Sequence, residues 1–323
     1  MKRTTILSIL IFFSGTLTAQ TLSITSSNVT YDLLTSEVTS TGVVVSEVSG
    51  EKLITGNYKA PIGDPSLETY TFPDGSFIVR ENIANFLVYD SFGRVQKSIS
   101  NSSQSEGGEA ISQLATDQFG KTIVLYNPKV IVNGVSGSRA KVINSKSIPL
   151  DIFYSQDRAL SVVEVSANGE FIAFTSVKLG ADDEVQLMDR FGNTLNTIQF
   201  DQPVKGVTFS GNGLFVTIFS GSRAAAYEVR SGERVGSTSF RNTSVIFAGY
   251  DPTDKTIIGL TGSVSSTISE VQLHAVNVFA RKIARENYSE PLEVKGKIEL
   301  ERTGESRYTI LGFDKELNLR ASF

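Results

Sequence analysis

The chain has 323 residues, 30 Lys+Arg against 34 Asp+Glu, a formal net charge of −4 and a single histidine. Without a basic stripe, nucleic acid is excluded as a partner. With no cysteine at all, disulfides and a lipid-anchored N-terminal cysteine are excluded too, as is an ordinary structural zinc site with its four His/Cys ligands.

Lys2 and Arg3 precede an apolar run at 6–13, and Leu17-Thr18-Ala19 ends in a small residue before Gln20. That order predicts a secretory signal peptide over 1–19. The run is far shorter than the roughly 20 apolar residues that cross a bilayer. No later stretch is apolar and long enough for a membrane helix. The expectation is an exported chain of one domain, 20–323, not membrane-spanning and soluble in a periplasm or outside the cell.

Beyond Gln20 the sequence repeats itself. A turn followed by a short apolar run reads FPDGSFIV at 72–79, TDQFGKTIV at 116–124, SANGEFIAF at 166–174, SGNGLFVTI at 210–218 and DPTDKTIIGL at 251–260. Asp-Gly and Asn-Gly supply the positive φ of a tight hairpin turn, and the β-branched and aromatic residues after them favour strands. A second motif is strand, turn, strand. LVYDSFGRVQKSI at 87–99 and VQLMDRFGNTLNTI at 185–198 share an Asp-x-Phe-Gly turn. VVVSEVSGEKLITGNY at 43–58 and AAYEVRSGERVGSTSF at 225–240 carry Ser-Gly-Glu instead, and weaker copies lie at 140–153, 271–287 and 308–323. Seven such units in residues 20–323 give about 43 residues each, the period of four-stranded propeller blades. The fold predicted is an all-β, single-domain β-propeller with seven blades over 22–58, 67–100, 109–155, 159–200, 203–240, 243–288 and 291–323. Six blades plus a divergent end is the alternative count.

FPDGSFIV, SANGEFIAF and SGNGLFVTI resemble the strand repeats of WD40-like propellers of the TolB and YVTN type. The resemblance covers five of the seven units and implies architecture. The absence of tryptophan separates the chain from true WD40 repeats, quinoprotein-type propellers and sialidase Asp-boxes.

Chemistry-bearing motifs are sparse. His274 lies mid-strand in VQLHAVNV and reads as a satisfied strand histidine. No G-x-S-x-G elbow, Walker loop or dinucleotide fingerprint occurs. Asp182-Asp183-Glu184 and Glu106-Gly107-Gly108-Glu109 lack the alternation of a Ca²⁺ loop and read as solvated. No metal and no cofactor is expected.

Aligning the turns puts Arg80 in one column with Leu125, Phe174, Ile218 and Gly259. Two positions on stand Asn82, Asn127, Ser176, Ser220 and Thr261. By propeller symmetry these polar residues form a ring on one face. They either satisfy strand ends or, with Arg80, surround a ligand mouth, near Lys129, Arg139, Lys178 and Arg223. Arg80, Asn82, Asn127, Ser176, Ser220 and Thr261 are therefore the candidate ligand-binding residues, with no catalytic residue assigned. The leading reading is a non-catalytic propeller that binds a protein, peptide or glycan on one face. The alternative is a hydrolase or lyase with its site at the central channel. An outer-membrane barrel, suggested by terminal Phe323, requires strands with one lipid-facing and one lumenal side. FIAF, TIVLY and TIIGL are apolar on both, so that reading falls.

Overall fold

Residues 20–28, 37–39, 42–47, 50–55, 69–72, 74–80, 85–100, 112–132, 135–143, 149–241 and 244–323 are described by a computed structural model, with 37–39, 42–47, 50–55, 69, 71, 129–132 and 135 as backbone alone. The signal segment 1–19, Asn82 and the Glu106–Glu109 pair lie outside the described residues.

The turn chemistry dictates the strands. In the fourth blade the Ser166 hydroxyl donates to Asn168 Oδ1 and accepts from Phe171 N, while Asn168 Oδ1 also accepts from Glu170 N. Gly169 completes the turn at φ 70°. One blade later Ser210, Asn212, Leu214 and Phe215 repeat the same bonds, with Gly213 at φ 73°. A side chain at either glycine would be strained there. Each turn sends the chain back as an antiparallel strand.

Among the described residues 27 strands form seven antiparallel sheets and no helix. Six sheets have four strands and one, Glu37–Thr39 with Gly42–Glu47 and Gly50–Thr55, has three. From 69 to 287 each sheet uses four consecutive strands in order, as in Ala159–Val165, Phe171–Val177, Asp183–Asp189 and Thr194–Phe200. The sheets are numbered here as blades 1 to 7. From blade 3 to blade 7 the first strands of successive blades approach one another, while fourth strands such as Arg234–Ser239 are mostly exposed. First strands therefore surround the axis and fourth strands form the rim.

The core lies between blades. Leu114, Ile123 and Leu125 of blade 3 pack on Ile78, Phe86 and Ile99 of blade 2. Phe174 and Met188 pack on Val124 and Val142, and Val216 and Ile218 on Phe171, Ala173 and Leu187. Full burial of such side chains contributes about 1.5–3 kcal/mol each, so blades 2 to 7 depend on their neighbours.

The unit boundaries differ from expectation at the ends of the chain. Thr21–Asn28 does not begin blade 1. It pairs with Lys315–Ser322 and becomes the fourth strand of blade 7, outside Val294–Gly304 and Arg307–Phe313. The unit expected over 308–323 thus contains the second and third strands of its blade. Leu22 drives this pairing by entering the cluster of Leu273, Tyr308, Ile310 and Leu319.

The axis is bridged as well. Lys297, on the first strand of blade 7, forms an ion pair with Glu164 on the first strand of blade 4, three blades away. Burial raises the Glu164 pKa above the usual carboxylate range. Burial also opposes the Lys297 charge, but Glu164 and Glu299 beside it leave the lysine pKa above its ordinary value.

Candidate functional site

An antiparallel blade has two ends. Linkers between blades and the loops between second and third strands share one; the tight turns between first and second, and between third and fourth strands, share the other. The sequence directs attention to the linker end, where the predicted polar ring lies.

Asn127, Ser176, Ser220 and Thr261 are all buried there. Asn127 Nδ2 donates to Ser112 Oγ at 3.2 Å. The Ser176 hydroxyl accepts from Arg158 Nε at 2.9 Å, and Arg158 also donates to the Ser176 and Asp182 carbonyls and pairs with Glu184. Ser220 donates to Gln202 Oε1 and accepts from the Ser222 and Arg223 amides. Thr261 Oγ1 lies 3.1 Å from His274 Nε2, and the imidazole meets Phe240 edge to face. Ser112, Arg158 and Gln202 all sit in linkers leading into the blade whose second strand they contact. These side chains tie linkers to strand ends, and their polar atoms point into protein.

Arg80 is 8% exposed, donates to the Ser112 carbonyl at 2.7 Å and lies over the Phe86 ring at 4.4 Å. It does not share the orientation of its sequence column. Phe174 and Ile218 face the preceding blade. In blade 2 the first two strands pair as Tyr70↔Ile78, one step out of the register in Val165↔Ile172 and Phe209↔Val216. A one-residue slip turns side chains to the other face. Ile78, Arg80 and Phe86 accordingly face blade 3, and Arg80 meets Asn127 at Ser112.

The remaining candidates disperse. Arg139 pairs with Asp151 and Arg223 with Asp201, Lys178 is exposed, and the Lys129 side chain lies outside the described residues. Asp183 accepts the Val204 amide while Glu184 turns to Arg158. No group of three His/Cys/Asp/Glu capable of holding a metal occurs among the described residues.

The turn end is different in kind. Of the 13 large apolar side chains exposed among the described residues, only Tyr154, Leu179, Val264 and Val294 lie near the linker end, leaving nine at the turns. Four of the nine are phenylalanines, and three of these come from one device. In Asp90-Ser91-Phe92-Gly93 the carboxylate accepts the Phe92 and Arg94 amides. In Asp189-Arg190-Phe191-Gly192 it accepts those of Phe191 and Asn193. In Asp117-Gln118-Phe119-Gly120 it accepts those of Phe119 and Thr122. Burial works against the charge of Asp90 and Asp189, yet these bonds hold both pKa values below the usual range. The acid turns inward and the ring is left outside: Phe92 is 63% exposed, Phe191 54% and Phe119 42%. Asn277 makes a related turn by accepting the Ala280 amide, and Phe279 is 78% exposed. A cation covers each ring, with Arg94, Lys121, Arg190 and Lys255 at 5.2, 5.0, 4.9 and 4.4 Å from the centroids. Blade 7 adds Arg307 and Arg320, opposite one another on adjacent strands beside a cleft of about 460 Å³. The signal for these residues was the phenylalanine inside the turn motif, where no strand needs it.

These sheets, wrapped about an axis with the first strand of the chain closing the last blade, define a β-propeller. Solved structures agree: the chain is similar to the Dos1 propeller (12% identity, 87% of this chain and 72% of that one, TM-score 0.56). It is also similar to a chain of a mitotic checkpoint complex (12% identity, 99% and 100%, TM-score 0.53). At that identity the likeness is one of fold, WD40-like in its repeat. No protein-family model matches the chain, and no curated protein matches it.

Proposed function

We propose that this chain is an exported, non-catalytic propeller that binds a protein partner through the turn end of its ring. The observation that carries the reading is the concentration of exposed phenylalanines on that end. Apolar side chains left outside on a rigid scaffold mark interaction sites, and aromatic anchors supply much of the binding energy at protein interfaces. The N-terminal segment with Lys2, Arg3 and its apolar run supports export. The Glu164–Lys297 bridge occupies the axis, where the alternative, a hydrolase or lyase, would place its substrate.

The test uses the mature chain, 20–323, as bait for the envelope fraction of the cell that exports it. A partner crosslinked by wild type is expected to be lost by the triple variant Phe92→Ser/Phe191→Ser/Phe279→Ser and kept by Arg80→Leu. The opposite pattern, with Arg80→Leu losing the partner at an unchanged melting temperature, would move binding to the linker end and restore the candidate residues there.

A further inference from the structure

We infer that the partner presents acidic groups beside apolar ones, so that the turn end reads an acidic protein surface or segment. This rests on the reading above and adds the partner's chemistry.

Two independent features point to it. The first is the way the Asp-x-Phe-Gly turns sort their charges. The aspartate is drawn in by backbone amides and the cation is left out on the ring: Arg94 pairs with Asp90 at 2.7 Å yet is 66% exposed on its side chain against 19% for the acid, and among the described residues Lys121, Arg190 and Lys255 make no ion pair. The knobs of Phe119, Phe191 and Phe279 thus offer a hydrophobic ring and an open positive charge together, and that of Phe92 a ring with an exposed guanidinium. The second is the Arg307–Arg320 pair. Like charges directly opposite on neighbouring strands repel, and among the described residues neither arginine makes an ion pair. An anion between them would relieve that repulsion. On a chain of net charge −4, an end of this character steers negatively charged surfaces toward itself.

A protein fits better than an acidic glycan. Sugar rings stack on open aromatic faces flanked by hydrogen-bonding groups, whereas these rings each carry a cation over one face. They stand on turns of different blades, as separate knobs for separate apolar pockets.

The experiment measures binding of the mature chain to three probes: a random copolymer of glutamate and tyrosine, polyglutamate, and polygalacturonate as the acidic glycan. The copolymer is expected to bind most tightly, with affinity falling as salt rises. The quadruple variant Arg94→Gln/Lys121→Gln/Arg190→Gln/Lys255→Gln should bind it roughly tenfold more weakly, four exposed pairs each contributing modestly. The phenylalanine triple variant should lose it as well, with both melting temperatures unchanged. Full affinity in the quadruple variant would overturn the acidic partner while leaving an apolar docking end intact. Full affinity in the phenylalanine variant would overturn the docking end itself. Tightest binding to polygalacturonate, or none to any probe, would overturn the protein assignment.

Discussion

The two ends of the ring use similar residues for opposite purposes. At the linker end, serines, a threonine, an asparagine and arginines are turned inward and bonded to one another. At the turn end, carboxylates are turned inward and rings with cations are left outside. Polarity in the sequence therefore does not say which side chains stay exposed in this fold. What decides it is which member of each local set remains outside after the backbone has taken its hydrogen bonds.

Breaking the linker end should cost stability. The largest effect is expected from Gly312, at φ 99°, where an added Cβ would stand 2.3 Å from the Lys297 carbonyl. Gly312→Val should destabilise by more than about 3 kcal/mol, through strain and overpacking together, seen as a lowered urea midpoint. An unchanged midpoint would mean that this end yields easily.

Acid should weaken the same end through His274. Burial, with Arg285 adding repulsion, lowers its pKa from 6.5 to about 4. The neutral ring therefore contributes full stability above pH 6.5, and that contribution is lost as pH falls from 6.5 toward 4. Between pH 7 and pH 4.5 wild type should lose roughly 2–3 kcal/mol more than His274→Gln, which keeps a hydrogen-bonding group beside Thr261. Parallel urea titrations that superimpose would show that the histidine is open to water.

The smallest expected effect sharpens the contrast. Phe92→Ser, Phe191→Ser and Phe279→Ser should each change stability by no more than about 0.5 kcal/mol. A loss of several times that from any one of them would give that ring a packing role and remove it from the docking end.

Much of the architecture was legible because it is written locally. Ser-x-Asn-Gly at 166–169 and 210–213 encodes a turn atom by atom, and the apolar runs that follow have nowhere to go but between blades. The closing strand was not legible. Thr21–Asn28 has no turn joining it to its partner, and its pairing depends on an edge made some 290 residues later. The orientation of Arg80 was not legible for a related reason. A repeat alignment assumes a constant register, and the slip at Tyr70↔Ile78 leaves no mark in residue type. The exposed rings were visible as Asp-x-Phe-Gly, but whether a turn phenylalanine packs or projects depends on the neighbouring blade.

The pairing of first strand with last also orders the life of the molecule. Thr21–Asn28 is made early and Lys315–Ser322 some 290 residues later, so the ring stays open until the last blade has been made. Joining them then costs about 5 kcal/mol of loop-closure entropy for a loop of that length, which the packed blades between them reduce by holding the ends in place. A chain cut short before 315 would keep the first strand without its partner. Its unpaired edge could then recruit a strand from another copy. Closure thus reports that blade 7 has formed, and copies that fail to close should be recognisable as swapped dimers and larger aggregates.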